Sequence, residues 1–308
     1  MYDISIIIIN FNTEQFTINC IASFLKHTSS TLNCQYIVVD NASEKNSYEA
    51  VKTYIKSIQS SVKIKLIRSN INTGFGGGNM IGVENAKSKY YAFVNNDVII
   101  ENDCLSVLKN FMDSNENVGV CGPQAFTEHG NILPTIDHFA SLTREVFGRT
   151  ILEKTNPKKY PKRKQLYTKP TQSQFIAGSF MFFNANDFKT VGGFDENIFL
   201  YYEETDICKR LQNINKDAFL VPDAKFIHFH GASTKKSIAI KTELKISLLY
   251  VIKKHYGKMA YYTLLTHLQI RYFFSSIFKP KYWKLFFVLL KGAPLSLSLK
   301  HKQTIKHL

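Results

Sequence analysis

The densest group of carboxylates in this chain consists of Glu203, Glu204 and Asp206. We predict a helix from about residue 203 to residue 211, at whose N-terminus the helix dipole stabilises negative charge. Capping of that helix could account for one or two of the three residues. Crowded carboxylates raise one another's pKa, and a carboxyl group with a raised pKa suits a general base. The group is therefore a candidate for removing a proton from a substrate hydroxyl.

Asp97 is the strongest candidate for a metal ligand. A diphosphate carries charge that Mg²⁺ or Mn²⁺ can bridge with few protein carboxylates. His228 and His230 alternate along a predicted strand beside a turn of small residues. One of these imidazoles could complete the metal shell, which would slightly favour Mn²⁺ over Mg²⁺. A single histidine is more often structural, and the sequence does not choose between the two.

Polar residues follow three predicted strands at the point where each strand ends. Asn10 and Asn12 follow the first strand, Asp40 and Asn41 follow the second, and Asn95 and Asn96 precede Asp97 after the fourth. The carboxyl ends of parallel strands meet at one edge of a sheet, where ligands bind. An isolated Asp in such a place is usually a turn residue. Three polar strand ends in one sheet favour a binding site.

The segment from Asn72 to Asn79 contains a run of glycines that invites comparison with a dinucleotide-binding loop. That fingerprint requires its glycines in the first tight turn between a strand and a helix. Here the glycines come after the third strand, so the interpretation fails. Glycines such as Gly76 can still let the backbone approach a ligand closely at a helix start.

Strand and helix patterns alternate through the first 125 residues, which predicts βαβ units and a mainly parallel sheet. The predicted strands cover residues 4–9, 36–39, 64–67 and 91–94, and the predicted helices lie around residues 18–25, 51–58, 79–86 and 105–112. Residues 127–172 break this rhythm. They indicate a long loop or flexible insertion that could serve as a lid, or simply a solvated charge run. Order returns at residues 175–183, and two short strands end near residue 228.

From about residue 237 the chain is rich in Lys, Tyr, Phe and Leu at helical spacing. The apolar stretch Trp283–Leu290 is too short and too interrupted for a transmembrane helix. It fits either an interfacial helix below an anionic leaflet or a helical subdomain packed on the core. Trp283, Phe286 and Phe287 are the expected membrane anchors in the first case.

Composition limits the classes of partner. The chain has 308 residues, 44% of them hydrophobic, and a net charge of +15, which favours nucleic acid, an acidic membrane face or phosphorylated substrates. Its five cysteines are scattered, which argues against a disulfide framework or a structural zinc site and is consistent with a reducing cytoplasm. The N-terminus does not resemble a secretory signal.

In order along the chain, the strand 5–10, the turn 39–43, the loop 72–78, the segment 93–98 and the segment 192–210 resemble the family 2 glycosyltransferases of the GT-A fold. The likeness covers roughly residues 3–235. It is closest to bacterial rhamnosyltransferase-like members that build surface polysaccharides.

The resemblance implies a role for each matching residue. Asp40 would contact the nucleobase near Asn10 and Asn12. The triplet 95–97 stands where the family has its DxD motif, so Asp97 would hold the metal. His228 would be a metal or diphosphate ligand, with His230 as the alternative. Glu204 would be the base, with Glu203 beside it.

The expected protein is an inverting, metal-dependent hexosyltransferase. Residues 1–236 would form the GT-A domain, with a nucleotide-binding part to about 125 and a catalytic part from about 173, and residues 237–308 a helical extension. The resemblance implies a dTDP-rhamnose donor, with a UDP-sugar next, and a glycan or polyprenyl-diphosphate-linked acceptor. We expect a cytoplasmic, peripheral membrane protein with no nucleic-acid partner. The alternatives are a sugar-nucleotide pyrophosphorylase and a non-enzymatic binder of lipid or nucleic acid.

Overall fold

The computed structural model describes residues 1–58, 62–229 and 237–306. Its first part alternates strands and helices as the sequence predicts. The elements are β1 (Tyr2–Asn10), α1 (Glu14–His27), β2 (Cys34–Asn41), α2 (Lys45–Ser57), β3 (Lys63–Ser69), α3 (Gly74–Glu84), β4 (Ser88–Asn95), β5 (Val98–Ile100) and α4 (Cys104–Asp113). The strand β1 is an isoleucine run because both of its faces are covered: Ile6 and Ile8 belong to one core cluster and Ile7 to the other.

The remaining elements complete the sheet and add helices after it. They are β6 (Val118–Phe126), β7 (Ile132–Leu133), β8 (Ile136–Asp137), α5 (Leu142–Phe147), α6 (Arg149–Thr155), β9 (Thr171–Ser173), β10 (Phe175–Ile176), β11 (Phe180–Asn184), α7 (Ala185–Thr190), α8 (Glu203–Asn213), β12 (Asp217–His228), α9 (Ile238–Phe278) and α10 (Trp283–Leu290). Short 3₁₀ turns cover Pro280–Tyr282, Leu295–Leu297 and Leu299–Lys302.

The central sheet has the strand order β3-β2-β1-β4-β11-β6-β12-β5. Strands β3, β2, β1 and β4 are parallel neighbours, and β12 runs parallel to β6. The strand β11 enters antiparallel between β4 and β6, and β5 closes the far edge antiparallel to β12. Parallel pairing therefore dominates, which confirms the predicted α/β class. It also places the ends of β1, β2 and β4 along one edge.

Three local predictions were wrong. The helix α3 begins at Gly74, so the glycines lie inside the helix. A Cβ on Gly82 would stand 2.4 Å from Ile7 Cγ2, and close packing on β1 thus outweighs the poor helix propensity of glycine. The strand β12 is one long strand with irregular pairing between Val221 and Lys225, where two short strands were expected.

The prediction of a loop over residues 127–172 was also wrong for much of that segment. It contains two short strands, β7 and β8, and two short helices, α5 and α6, and it buries Ile136, Phe139 and Leu152. Arg149 forms an ion pair with Asp137, and the ring of the buried His138 contacts Glu153. Elements this short contain too few residues to show the regular spacing of apolar residues that identifies a strand or a helix. Ion pairs contribute to their packing, and these leave no such spacing in the sequence.

The helix α9 reverses direction at Gly257, whose φ of +81° and ψ of −177° interrupt the helical backbone. Its two halves lie side by side: Lys253 Nζ is 5.5 Å from the ring centre of Tyr261, and Lys241 Nζ is 5.4 Å from that of Tyr272. Leucines and isoleucines from both halves form a third core cluster with Leu285 and Leu289 of α10. The described part of the tail is thus a packed helical subdomain, and no helix in it is long and apolar enough to cross a membrane.

Candidate active site

Asp97 and His228 meet although they are far apart in sequence. Asp97 lies in the turn between β4 and β5, and β12 pairs with β5 so that His228 stands opposite Val98. His228 Nε2 is 3.1 Å from Asp97 Oδ1, and the Asp97 side chain is buried. His230 lies outside the described residues.

This pair fits a divalent cation. Neighbouring ligands of an octahedral ion bound at about 2.1 Å are about 3 Å apart, close to the separation seen here. A carboxylate oxygen and an imidazole nitrogen suit Mg²⁺ or Mn²⁺. Within the described ranges no third His, Cys, Asp or Glu joins Asp97 and His228. Diphosphate oxygens and water would have to supply the remaining ligands.

Asn96 fastens the turn that carries Asp97. Its amide donates hydrogen bonds to the hydroxyls of Thr13 at 2.6 Å and Thr17 at 2.9 Å, at the start of α1. The backbone N–H of Asn95 donates to the carbonyl oxygen of Ser179. The polar strand end is thereby held from both sides, which fixes the carboxylate of Asp97 in place.

Asn10 and Asp40 bind each other. The Asn10 amide donates to Asp40 Oδ1 at 2.9 Å and accepts from the Thr17 hydroxyl, and the Asp40 side chain has no exposed surface. Asn12 has a φ of +54° and accepts from the backbone N–H of Glu44. These groups organise the loops that follow β1 and β2. Their contact with a nucleobase stays a prediction.

Asn41 is the second of the polar residues that the sequence places at the end of the second strand. Its amide donates to Asn72 Oδ1 and to the carbonyl of Gly74, and its oxygen accepts from the backbone and hydroxyl of Thr73. It therefore ties the end of β2 to the start of α3. Asn79 is buried and donates to the carbonyl of Phe75 within α3.

A cavity of about 430 Å³ opens beside these strand ends. Its polar lining is Thr13, Asn41, Asn72, Asn95 and Asn96, and its apolar lining is Ile9, Phe11, Phe75, Val94, Phe199, Leu200 and Ile240. Of the predicted donor contacts, Asn72, Asn95 and Asn96 line the cavity. Gly76 is buried against Phe194. Ile240 belongs to α9, so the C-terminal helices contribute to this site.

Glu203 and Glu204 open α8 and occupy different environments. Glu203 is buried, and its Oε1 has no hydrogen-bond partner within the described part of the chain. Burial and then the neighbouring Glu204 raise the pKa of Glu203 well above its usual range. Glu204 is partly exposed, and its Oε1 accepts a hydrogen bond from the Gly178 N–H at 3.0 Å. Burial also raises the pKa of Glu204.

The two residues before this helix adopt an unusual backbone. Tyr201 and Tyr202 have φ values of +71° and +72°. Bulky side chains rarely adopt this left-handed region, and such strain persists only where the surroundings enforce it. Arg144 contributes to those surroundings, because its guanidinium carbon lies 5.6 Å from the ring centre of Tyr202. The entry to α8 is therefore held in one conformation.

Asp206 is excluded as the base by its partners. Its Oδ1 lies 2.7 Å from His255 Nε2 and 2.7 Å from Lys254 Nζ, and its Oδ2 accepts a hydrogen bond from Arg210. Burial raises its pKa, but the hydrogen bond from His255 and the charges of Arg210 and Lys254 outweigh burial and hold the pKa below its usual value. Asp206 joins α8 to α9.

Comparison with known proteins adds three findings. The family model for glycosyl transferase family 2 matches residues 5–192. Rhamnosyltransferase WbbL of Escherichia coli (strain K12) is 29% identical over 194 residues, which are 59% of this chain and 71% of the relative. The dTDP-rhamnosyl transferase RfbF of Shigella flexneri is 25% identical over 241 residues, which are 76% of this chain and 71% of the relative.

A solved structure shares the fold. The crystal structure of GalNAc-T7 with UDP, GalNAc and Mn²⁺ aligns with a TM-score of 0.63 and 14% identity, over 94% of this chain and 56% of that protein. This chain therefore spans little more than half of that protein's length. The likeness confirms the predicted GT-A architecture.

Proposed function

The chain belongs to glycosyl transferase family 2, and from that premise we propose that this glycosyltransferase moves rhamnose from dTDP-rhamnose to an acceptor hydroxyl, with inversion and with help from a divalent cation. The observation that carries the proposal is the Asp97–His228 pair beside the cavity at the strand ends. Membership of this family argues against the two alternatives, a sugar-nucleotide pyrophosphorylase and a non-enzymatic binder of lipid or nucleic acid.

The wall of the cavity supports a 6-deoxy sugar. Phe75, Phe199 and Leu200 give it an apolar surface large enough for a methyl group. Burying a methyl-sized group contributes about 0.8 kcal/mol, whereas a buried hydroxyl without a partner costs roughly 1–3 kcal/mol. Rhamnose carries a methyl group where most hexoses carry a hydroxymethyl group. The names of the two relatives point to the same donor, and a UDP-sugar is the second choice.

Asp97 and His228 would hold Mg²⁺ or Mn²⁺, which supplies charge neutralisation for the departing diphosphate. Glu204 accepts the proton of the acceptor hydroxyl. The acceptor oxygen then attacks the anomeric carbon from the side opposite the diphosphate, and the bond to the diphosphate oxygen breaks. A pKa above the usual carboxyl value strengthens Glu204 as a proton acceptor.

The proposal extends to the place of action. A polyprenyl-diphosphate-linked acceptor lies at a membrane, so the enzyme would work peripherally at the inner, anionic face of the cell membrane. The basic C-terminal helices support this position, because polybasic segments are attracted to anionic lipid.

Donor choice provides the direct test. Calorimetry with Mn²⁺ should show that dTDP-rhamnose binds more tightly than dTDP-glucose, since only the first fills the apolar wall without a buried hydroxyl. Comparing UDP-glucose with dTDP-glucose separates the contribution of the nucleobase to binding from that of the sugar. Equal binding of the two dTDP-sugars would rule out rhamnose selection while leaving sugar transfer intact.

A further inference from the structure

A second cavity, of about 300 Å³, lies between the start of α9, its end and the 3₁₀ turn before α10. Three cations line it, Lys241, Arg271 and Lys279, together with Tyr272 and Tyr282. Among the residues that the structure describes, no acidic side chain lines it. The sequence explains this, because residues 244–308 contain eleven Lys and one Arg but no Asp or Glu. A cavity whose charged lining residues are all positive attracts an anion.

The rim of the cavity is apolar on one side. Phe278 lines the cavity and is 82% exposed, and Phe274 and Ile277 nearby are 57% and 55% exposed. Soluble surfaces rarely carry such a group of large apolar side chains without a partner. Trp283 extends the group, since its ring centre lies 6.0 Å from that of Phe273. An anion-selective cavity beside this surface fits a ligand that is a phosphate at one end and a lipid at the other.

The cavity lies close to the donor site along α9. Lys241 follows Ile240, which lines the donor cavity, and the reversal of α9 brings Arg271 to the same place. Lys245 lies one helical turn beyond Lys241 and is buried. Its pKa is lowered by burial and, against the opposing charge of Glu145, by the nearby cations Arg271, Lys241 and Arg144. Arg144 in turn packs on Tyr202, directly before the two glutamates. Basic side chains therefore lie between the cavity and the proposed catalytic base, and Glu145 among them is paired with Arg144.

We propose that this cavity binds the diphosphate of the lipid-linked acceptor, with the lipid chain along the exposed phenylalanines and the acceptor sugar directed toward Glu204. Arginine and lysine are the side chains that recognise phosphate oxygens, and arginine does so with two parallel hydrogen bonds. The inference rests on the proposed function, since only a transfer to a lipid diphosphate requires such a site. The head group of an anionic phospholipid shares the phosphate chemistry.

Arg271→Gln tests the site, and Lys258→Gln is its matched control. Both residues are exposed, both lie in the second half of α9, and both changes remove one positive charge, but Lys258 stands beside the Gly257 reversal at the opposite end of that half. Binding is measured by flotation with three vesicle types: phosphatidylcholine alone, with phosphatidylglycerol, and with polyprenyl diphosphate.

We expect Arg271→Gln to weaken binding to the polyprenyl-diphosphate vesicles about tenfold or more, because the change removes a hydrogen-bonded charge pair between the guanidinium and the phosphate. Lys258→Gln should bind these vesicles nearly as the wild type does, and the two variants should behave alike on phosphatidylglycerol. Equal binding of both variants to the diphosphate vesicles would overturn the proposal. Equal losses by Arg271→Gln on both anionic lipids would also overturn it, because the cavity would then be a general head-group site.

Donor binding separates this inference from the function it rests on. Calorimetry with dTDP-rhamnose and Mn²⁺, without vesicles, should give the same affinity for the wild type and Arg271→Gln. A wild type that binds no nucleotide-sugar but retains the vesicle difference would contradict the proposed function and leave the lipid-phosphate site in place.

Discussion

Glu203 and Glu204 are adjacent in the chain and chemically unequal. Glu203 is enclosed, whereas Glu204 is partly exposed and is oriented by the N–H of Gly178. A base must reach the acceptor hydroxyl, so exposure favours Glu204. A Cβ on Gly178 would stand 2.6 Å from Glu204 Oε1, so any larger residue there would displace the carboxylate.

Glu204→Gln should lower the rate of sugar transfer by ~10²–10⁴-fold, because the amide cannot accept a proton. Donor affinity should stay within a few-fold. Single-turnover transfer at saturating donor, with calorimetry for the donor, measures both quantities. Glu203→Gln is the control and should lose less. If Glu203→Gln were the inactive variant, the mechanism would stand with the base shifted by one residue.

The pH dependence of transfer follows from the same carboxyl group. Burial raises the pKa of Glu204 above its ordinary 4.5, and only the deprotonated form accepts a proton. The rate should therefore rise as the pH climbs through this raised pKa, which places the acid limb above pH 4.5. For stability the sign is opposite, because a raised carboxyl pKa favours the fold at low pH and this contribution is lost as the pH rises. An acid limb at or below 4.5 would argue against Glu204.

Asp97→Ala should abolish transfer and also remove the stabilisation that Mn²⁺ gives to the complex with the donor nucleotide. The charge of the diphosphate would lose its link to the protein. Thermal unfolding with dTDP, in the presence and absence of Mn²⁺, reports the second effect without any turnover. Asp113→Asn is the control, because Asp113 pairs with Lys89 near the start of β4, whereas Asp97 follows its end. A variant at Asp97 that keeps both properties would make this residue a simple turn residue.

At the scale of elements, the helix α8 is positioned by α9 through Asp206. One buried carboxylate there pairs with the cations Arg210 of α8 and Lys254 of α9 and also contacts the imidazole of His255. Asp206→Asn leaves those cations without their counter-charge, and breaking such a buried group costs about 3–5 kcal/mol. Urea unfolding should show this loss. Asp113 pairs with the surface lysines Lys89 and Lys109 and accepts a hydrogen bond from the Tyr90 hydroxyl, which an amide oxygen can still accept, so Asp113→Asn should cost about 1 kcal/mol or less. Equal losses would show that Asp206 does not brace the helix.

The sequence predicted the elements of this site better than the direction of its side chains. The alternation of strands and helices was enough to bring the ends of β1, β2 and β4 to one edge. It could not show that Asn10 turns toward Asp40 instead of toward the cavity, because that choice depends on the 2.9 Å contact between the ends of two paired strands. It also missed Ile240, whose apolar character matches any helix and gains meaning only from the packing of α9 against the donor cavity.

At the scale of the whole molecule, charge and apolar surface are concentrated in the C-terminal helices. Leu285 and Leu289 are buried, so removing residues from 280 onward should expose the core, and point substitutions test membrane binding more cleanly. Of the anchors predicted from sequence, Phe287 is exposed, whereas Trp283 and Phe286 are partly covered by Phe273 and by each other. Phe278 is the most exposed aromatic residue in this region.

Binding to phosphatidylglycerol vesicles should weaken as salt is raised, because ions screen the attraction between surface lysines and anionic lipid. Replacing Phe274 and Phe278 together by Ser should weaken binding at every salt concentration, since their contribution is apolar. Co-sedimentation across a salt series measures both effects, and Phe11, which is exposed at the donor site, offers a control substitution. Binding that did not change with salt concentration would show that the basic charge of the tail does not contribute to membrane attachment.

The reversal at Gly257 determines how far the enzyme can reach. As one rod, the 41 residues of α9 would extend about 60 Å and carry Phe278 far from Ile240. Folded back, the helix puts both at the same end of the subdomain. The backbone at Gly257 is one that essentially only glycine adopts, so one residue sets this geometry. With the lipid-phosphate cavity that we propose, an enzyme built this way would suit a glycan at the beginning of its growth, when the accepting sugar is still attached directly to its lipid carrier and has no chain to lift it from the bilayer.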